Sequence, residues 1–472
     1  MRAAFFTLGC KLNQSESEAL ASSFASRGFF IVPHTEAADI YIINTCTVTS
    51  MAEQKARRII RKAAREYPGA VILVTGCYAQ LEGEEVSGLA ENVVVLGQDE
   101  KDLLLDLPGL LDAGCTGGPK GPEGPEGGFF SAEDVKECIR GLRATAAAPE
   151  AGCFRYDADT YSFHSRAFLK IQDGCDRRCA YCRVPLARGS SVSLDAQTVL
   201  DRALQIEESG YREIVLTGVN ITSYRDISRE RRAGENAVPA AAGLTELIEL
   251  LTKRLSRARL RLSSLEPEMV TDTLVRAVAH RSVCPHFHIP VQSGSDRVLA
   301  AVGRPYRAER VQRAVEMLRS AKDDPFIAAD VIVGLPGEEE ADFEATRSVL
   351  EGCDFSRLHV FPYSPRPGTA LYSHPGPFVP QRVAGERAKI LQKLSDSLYE
   401  SYLQRWRGRE LTAALEMQLE EGVWTGLTEN YLHLEVKGVP SAPAVRGSLC
   451  SVRLEKEEGA PAGRFLGFVH SE

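Results

Sequence analysis

The sequence lacks what would place it in a membrane: no apolar run approaches the roughly 20 residues needed to cross a bilayer. Nor is an ordinary secretion signal expected. MRAAFFTLGC opens with Arg2 and an apolar stretch, but that stretch is too short for a signal core, and Lys11 to Glu18 turns polar at once. The expectation is a cytoplasmic protein with no membrane partner. Positive charge is not in excess either. The net charge of −8 argues against indiscriminate binding of polyanions, while leaving room for a local basic site. In a reducing compartment the twelve cysteines are expected to be mostly reduced thiols available as ligands, not disulfides.

What is present is a chain of 472 residues, 44% apolar and 25% charged, long enough for about three domains. Residues 1–112 alternate strand and helix. AAFFTL, DIYIIN and AVILVTG read as strands; SESEALASSFASRG, ended by Gly28, and AEQKARRIIRKAARE read as helices. This βαβαβ rhythm predicts a doubly wound parallel α/β domain. Cys10, Cys46 and Cys77 each fall just past the carboxyl end of one of those strands, 36 and 31 residues apart. Parallel strands put those ends on one edge, where open α/β sheets bind ligands. One such cysteine is ordinarily a packed small side chain, but three in phase predict a shared ligand set that converges in space.

Residues 113–155 contain GGPKGPEGPEGG, a run too short for a collagen helix and expected to be a flexible linker with at most a weak helix over 131–144. Residues 156–398 resume the alternation. AFLKIQ, EIVLTG, RLRLSS, HFHIPV, AADVIVG and RLHVFP are six strands with helices between them, predicting a partial (β/α)6 barrel. Polar residues follow the strands: Asp173, Asn220, Glu266, Gln292 and Tyr363. That is the face on which β/α barrels carry their chemistry. Residues 399–472 offer short strands (LTAALEMQL, LHLEVKG, SLCSVRLE, RFLGFVH) and predict a small β-barrel of oligonucleotide-binding type. From Arg405 onward it carries eight basic and ten acidic side chains, so no nucleic-acid role is visible in its charge.

DGCDRRCAYC, residues 173–182, sets Cys175, Cys179 and Cys182 in a C-x-x-x-C-x-x-C run. A cubane iron–sulfur cluster takes one thiolate per iron. Three thiolates leave one iron open, and open positions mark catalytic metal sites. Two alternatives stand beside this: zinc with Cys153 or His164 as fourth ligand, although no second two-cysteine knuckle exists, and a redox pair of Cys179 and Cys182, which leaves Cys175 redundant. Cys115, Cys138, Cys153, Cys284, Cys353 and Cys450 receive no role. Basic side chains cluster at Arg57, Arg58, Arg61, Lys62 and Arg65, at Arg304, Arg307, Arg310 and Arg313, and at Arg177, Arg178, Arg183 and Arg188. Solvated helix faces explain the first two as well as RNA does; the third borders the cysteine run.

The run, with AFLKIQDG before it and Tyr181 inside it, resembles the signature of the radical S-adenosylmethionine (SAM) superfamily, whose partial barrel the six β/α units match. The resemblance implies a 4Fe-4S cluster on Cys175, Cys179 and Cys182 that binds SAM and generates a 5′-deoxyadenosyl radical. TLGCKLNQSESEAL, INTCTVTSMAEQKAR and TGCYAQ resemble the amino-terminal domain of the methylthiotransferases. There Cys10, Cys46 and Cys77 would hold a second 4Fe-4S cluster, whose open iron carries the sulfur to be inserted. GLTENYLHLEV is similar to the RNA-binding TRAM domain. GCKLNQ, CRVPLARG, LTGVN, SSLEPE, HFHIPVQSGSD, DVIVGLPGE and RLHVFPYSPRPGT look most like the branch acting on N6-threonylcarbamoyladenosine in tRNA. The isopentenyladenosine branch and the ribosomal-protein branch, which usually has Pro where this chain has Lys11, are the alternatives.

Implied partners are a tRNA anticodon loop, SAM as radical source and methyl donor, an electron-donor protein and a sulfur donor. Tyr181, Gly218, Asn220, Ser264, Glu266, His288, Gln292 and Gly334 are the candidate SAM contacts. Each alone is equally consistent with a structural loop residue. His286 and His288 alternate on one strand and suit a metal pair less well than hydrogen-bonded barrel histidines. Two departures from the family stand out: Leu194 follows Ser193 where a Ser-Arg pair is common, and the terminal barrel is not basic. A non-catalytic iron–sulfur sensor that binds RNA is the reading from a different class; it leaves the six β/α units idle.

Overall fold

The computed structural model describes residues 1–113, 131–145, 152–156, 163–226, 243–440, 445–456 and 465–469. The chain forms two compact units: residues 1–163 with 173–177 and 182–192, and residues 164–172 with 178–181 and 193–472. Much of the expected linker, with Cys115, lies outside the described residues; inside it, Ala132–Thr145 is a helix. No helix among the described residues is long and apolar enough to cross a membrane.

The first unit is a parallel sheet of β1 (Arg2–Thr7), β2 (Phe30–Val32), β3 (Ile40–Thr45), β4 (Val71–Gly76) and β5 (Val93–Val95) in the order β2-β1-β3-β4-β5. β3 and β4 are buried at every position, which is why they read as continuous apolar runs rather than alternating ones. The helices α1 (Lys11–Ser26), α2 (Ser50–Glu66) and α3 (Cys77–Leu81) follow β1, β3 and β4. Thr49 caps α2 by accepting the Ala52 N–H at 3.2 Å, and Glu53 sits in its first turn. Its stripe of Ala56, Ile60, Ala63 and Ala64 packs on Ile43, Ile72 and Val74. Burying Ile60 alone contributes about 1.5–3 kcal/mol. The edge strands β2 and β5 were not anticipated, because three residues each are too few for a periodic signal. The strand order reverses between β1 and β3, and such a switch point opens a crevice at the carboxyl ends.

In the second unit six parallel strands form two sheets of three rather than one ladder. β6 (Ala167–Lys170), β7 (Glu213–Thr217) and β8 (Arg259–Leu262) pair with one another, as do β9 (His286–Gln292), β10 (Phe326–Val333) and β11 (Arg357–Pro362). Between β8 and β9 there is an isolated bridge of Leu260 with Val283 and one bond from the Leu265 N–H to the His288 carbonyl at 2.8 Å. Pro285 and Pro290 have no N–H to give a ladder. The His286 N–H is spent on the Cys284 carbonyl at 2.8 Å. The partial barrel is therefore split into halves at this point.

The terminal strands β12 (Glu410–Glu420), β13 (Val423–Thr428), β14 (His433–Lys437), β15 (Leu449–Lys456) and β16 (Phe465–Val469) close into a barrel in the order β12-β13-β14-β16-β15. β14 and β16 are parallel and every other pair is antiparallel, a connectivity of oligonucleotide-binding type. β13 was not among the expected strands. A helix of 26 residues, Gln381–Trp406, spans the boundary expected at 398/399. It delivers Tyr402, Leu403 and Trp406 into a core with Trp424 and Leu434. The architecture is thus α/β with parallel sheets and a small closed five-stranded barrel at the carboxyl end.

Candidate iron–sulfur and SAM site

Cys10 is the N-cap of α1, Cys46 follows β3 directly and Cys77 opens α3 after β4. All three sit at the switch-point edge of the sheet. Two glycines let the backbone reach it: Gly9 and Gly76, each just before a cysteine, have φ of +98° and +95°. A Cβ on Gly9 would lie 2.8 Å from the Cys46 Sγ, and one on Gly76 would lie 2.4 Å from the Thr45 carbonyl. The thiols are near enough to act on one another. Burial, then the neighbouring Cys10, pushes the Cys46 thiol up to about 12. Burial also raises Cys77, with Arg188 opposing and Cys10 adding to the rise. The Val48 N–H points at the Cys46 Sγ at 3.5 Å. Two buried thiols, one of them with an N–H aimed at its sulfur, and the exposed Cys10 at the positive end of a 16-residue helix fit the donor set of an iron–sulfur cluster.

Among the described residues no three His, Cys, Asp or Glu side chains are grouped about one point as a single ion requires. A cubane instead takes each thiolate on a different iron.

Beneath the trio lies a buried polar network that the sequence did not reveal. The Asn13 amide donates to the carbonyls of Leu8 and Thr45 at 2.8 and 3.0 Å. Arg188 donates to the Asn13 Oδ1 at 2.6 Å, to Glu16 at 3.0 and 3.2 Å, and to both Asp173 oxygens at 3.0 Å. Lys101, fully buried, pairs with Glu16 and donates to the Asn44 Oδ1 at 3.0 Å. Two cations and two carboxylates thus neutralise one another out of water, as buried charges must.

Cys175, Cys179 and Cys182 are half-buried. In the first unit the Cys175 N–H bonds to the Gly189 carbonyl at 3.0 Å, and the Val184 N–H reaches the Cys182 Sγ at 3.4 Å. In the second unit Arg304 donates to the Cys179 Sγ at 3.2 Å and to the Glu266 carboxylate. Tyr306 accepts from the Arg304 Nε at 3.0 Å and donates to the Pro290 carbonyl at 2.6 Å, holding the guanidinium in place.

The other candidates divide. Glu266 joins Arg304 and Cys179 in one cluster. Asn220 and Gly218 pack on Gln172: the Asn220 N–H donates to its Oε1 at 2.8 Å, and a Cβ on Gly218 would meet that atom at 2.8 Å. Gln292 closes β9 at a register shift with φ of +63°, strained for a residue with a side chain. The His288 Nε2 lies 2.9 Å from the Asp330 Oδ1, and the His359 ring follows at 5.2 Å. His286, two residues earlier on the strand, stacks instead on Tyr431 at 4.1 Å, so the two histidines do not form a pair. Gly334, φ +77°, abuts Ala384 of the long helix, a packing role. Tyr181 packs on Val298, Val302 and Leu335, and Ser264 is half-buried. The Ser193 Oγ, at the departure noted above, accepts the Arg225 N–H at 3.1 Å.

The basic clusters need correction. Arg183 is buried against Glu53 at 3.2 Å and Glu82 at 2.7 Å, Arg188 serves the network above, and Arg304 serves Cys179. Their charge is spent internally. Arg58, Arg61, Lys62 and Arg65 on α2 remain exposed. Glu53 and Glu82 for Arg183, and Glu16 for Arg188, stand more than a hundred residues away in sequence, so composition gave no sign of these pairings.

Residues 2–97 match the family described as uncharacterized protein family UPF0004, and residues 169–350 match the radical SAM superfamily. The chain is 39% identical to the threonylcarbamoyladenosine tRNA methylthiotransferase MtaB of Treponema pallidum (strain Nichols), across 96% of this chain and 98% of that one. It is 34% identical to the protein of the same name from Thermotoga maritima, across 92% and 90%. Among solved structures it is similar to the radical S-adenosylmethionine methyltransferase TsrM of Kitasatospora setae, with a TM-score of 0.49 and 14% identity over 79% of this chain and 77% of that one. The chain belongs to the family of radical SAM threonylcarbamoyladenosine tRNA methylthiotransferases.

Proposed function

We propose that this chain acts on the N6-threonylcarbamoyladenosine next to the anticodon of tRNA, replacing hydrogen at C2 of the adenine with a methylthio group. Bound 4Fe-4S clusters would pass on the electron and the sulfur, and SAM would supply the hydrogen-abstracting radical and the methyl group. Cys175, Cys179 and Cys182 are assigned to one cluster and Cys10, Cys46 and Cys77 to the other. The observation that carries the reading is the second trio: three thiols far apart in sequence follow three neighbouring strands at one sheet edge, in a chain that also contains DGCDRRCAYC.

The remaining residues bind and position. Glu266, Gln292 and Asn220 stand at carboxyl ends of barrel strands, where they suit the polar groups of SAM. The terminal barrel and the exposed arginines of α2 are assigned to tRNA, whose loop bases can be splayed out and read. The N-terminal domain at 1–112, the barrel at 156–398 and the RNA-binding module at 399–472 divide these tasks in a cytoplasmic enzyme, with the electron and the sulfur coming from separate donors. The threonyl carboxylate calls for a cationic group in the pocket, where an isopentenyl substrate would call for an apolar one.

Mass spectrometry of tRNA nucleosides from cells with and without this protein tests the reading. The 2-methylthio form should appear only with the protein. Its appearance on isopentenyladenosine instead would move the chain to the other branch. Formation of 5′-deoxyadenosine in an anaerobic assay separates an enzyme from an iron–sulfur sensor.

A further inference from the structure

We infer that Arg188 is a positioning residue that ties the loop of one cysteine trio to the loops of the other. The inference rests on the two-cluster reading above. Its guanidinium holds both Asp173 oxygens at 3.0 Å, and Asp173 stands two residues before Cys175. The residue after Arg188, Gly189, takes the Cys175 N–H at 3.0 Å. The same guanidinium holds the Asn13 Oδ1 at 2.6 Å. The Asn13 amide in turn holds the Leu8 carbonyl, at the entry to Gly9 and Cys10, and the Thr45 carbonyl, directly before Cys46. One planar fork therefore fixes the approaches to Cys10, Cys46 and Cys175 at once.

Two features separate this from ordinary packing. The Arg188 side chain is 2% exposed, and Glu16 and Asp173 satisfy its charge, so rotating away would cost the buried guanidinium both of its carboxylate partners. Arg188 also needs its fork: a lysine keeps the charge but cannot span Asp173, Glu16 and Asn13 together. Sulfur transfer between two sites depends on their separation, and a 1 Å misplacement costs about a hundredfold in rate. Arg188 is thus expected to govern how often a radical event ends in sulfur insertion, not whether SAM is cleaved.

The test compares wild type, Arg188→Lys and Asn13→Asp as full chains with reconstituted clusters. Three quantities are read: iron and sulfide per chain, 5′-deoxyadenosine formed, and methylthiolated nucleoside per 5′-deoxyadenosine. Arg188→Lys should keep its iron and cleave SAM, while product per 5′-deoxyadenosine falls by tenfold or more. The spin–spin broadening between the two reduced clusters in low-temperature EPR should change with it. Full iron with an unchanged ratio and spectrum overturns the inference. If Arg188→Lys loses iron, Asn13→Asp decides, since it keeps an acceptor for Arg188 and breaks the hold on the Leu8 and Thr45 carbonyls. A lowered ratio then supports the inference; an unchanged ratio, or loss of iron here too, reduces Arg188 to a structural residue. Wild type that cleaves SAM yet never methylthiolates would instead overturn the proposed function.

Discussion

Arg304 places its guanidinium 3.2 Å from the sulfur of Cys179 while its other arm grips Glu266. A cationic donor on a cluster ligand stabilises the reduced, more negative state, one of the levers by which proteins set such potentials. Arg304→Gln is therefore expected to shift the midpoint potential of the Cys175/Cys179/Cys182 cluster to more negative values. Arg304→Lys should fall between it and wild type. An EPR-monitored redox titration reads both, and an unmoved midpoint in Arg304→Gln would remove Arg304 from the electrostatics of the cluster.

Cys46→Ala takes one thiolate from the trio at the sheet edge. The variant should lose about half of the bound iron, keep forming 5′-deoxyadenosine and make no methylthiolated nucleoside, while tRNA binding stays near wild type. Iron analysis and nucleoside mass spectrometry check this; retained turnover would count heavily against the second cluster.

Gly76→Ala forces a side chain into a left-handed backbone position where a Cβ meets the Thr45 carbonyl at 2.4 Å. The cost should exceed about 1–3 kcal/mol, the usual strain of such a backbone, because the clash is with main chain that cannot swing aside. Denaturant unfolding measures it. Gly28, also left-handed but with open space around it, should tolerate alanine better.

Gln292 should behave in the opposite sense. Replacing a left-handed glutamine with glycine relieves about 1 kcal/mol of backbone strain, partly offset by the entropy glycine brings to the unfolded chain. Gln292→Gly is expected to leave the melting temperature unchanged or slightly raised while KM for SAM rises. A fall in both stability and activity would mark Gln292 as structural.

Glu207 closes the turn before β8 by accepting the N–H groups of Ser256, Arg257 and Ala258 at 3.0, 2.6 and 2.6 Å. Burial alone would raise its carboxyl; those N–H groups outweigh burial and hold it below the ordinary range. Because the folded value is the lower one, its stabilisation is complete above the unfolded value and fades as pH falls through the folded one. Glu207→Gln should cost about 1–3 kcal/mol at neutral pH, and the gap to wild type should close in acid. Urea midpoints along a pH series give the comparison.

Much of this protein is written along the chain, because periodicity and spacing are local. The continuous apolar runs of β3 and β4, the stripe on α2 and the cysteine spacings predict a parallel sheet with three thiols at one edge, and the sheet has that edge. Strands of three residues carried too little pattern. Pro285 and Pro290 were legible as residues, but their effect on the ladder depended on which neighbour β9 was offered.

Sequence alone determined which side chains are thiols, how far apart they stand along the chain and which strands lead to them. Folding decided what each charge is for. Arg188 reads as one more basic residue beside a cysteine run until Glu16, 172 residues away, and Asp173 close on its guanidinium. A charge out of water survives only with a partner, and such partners are chosen by tertiary contact, not by neighbourhood along the chain.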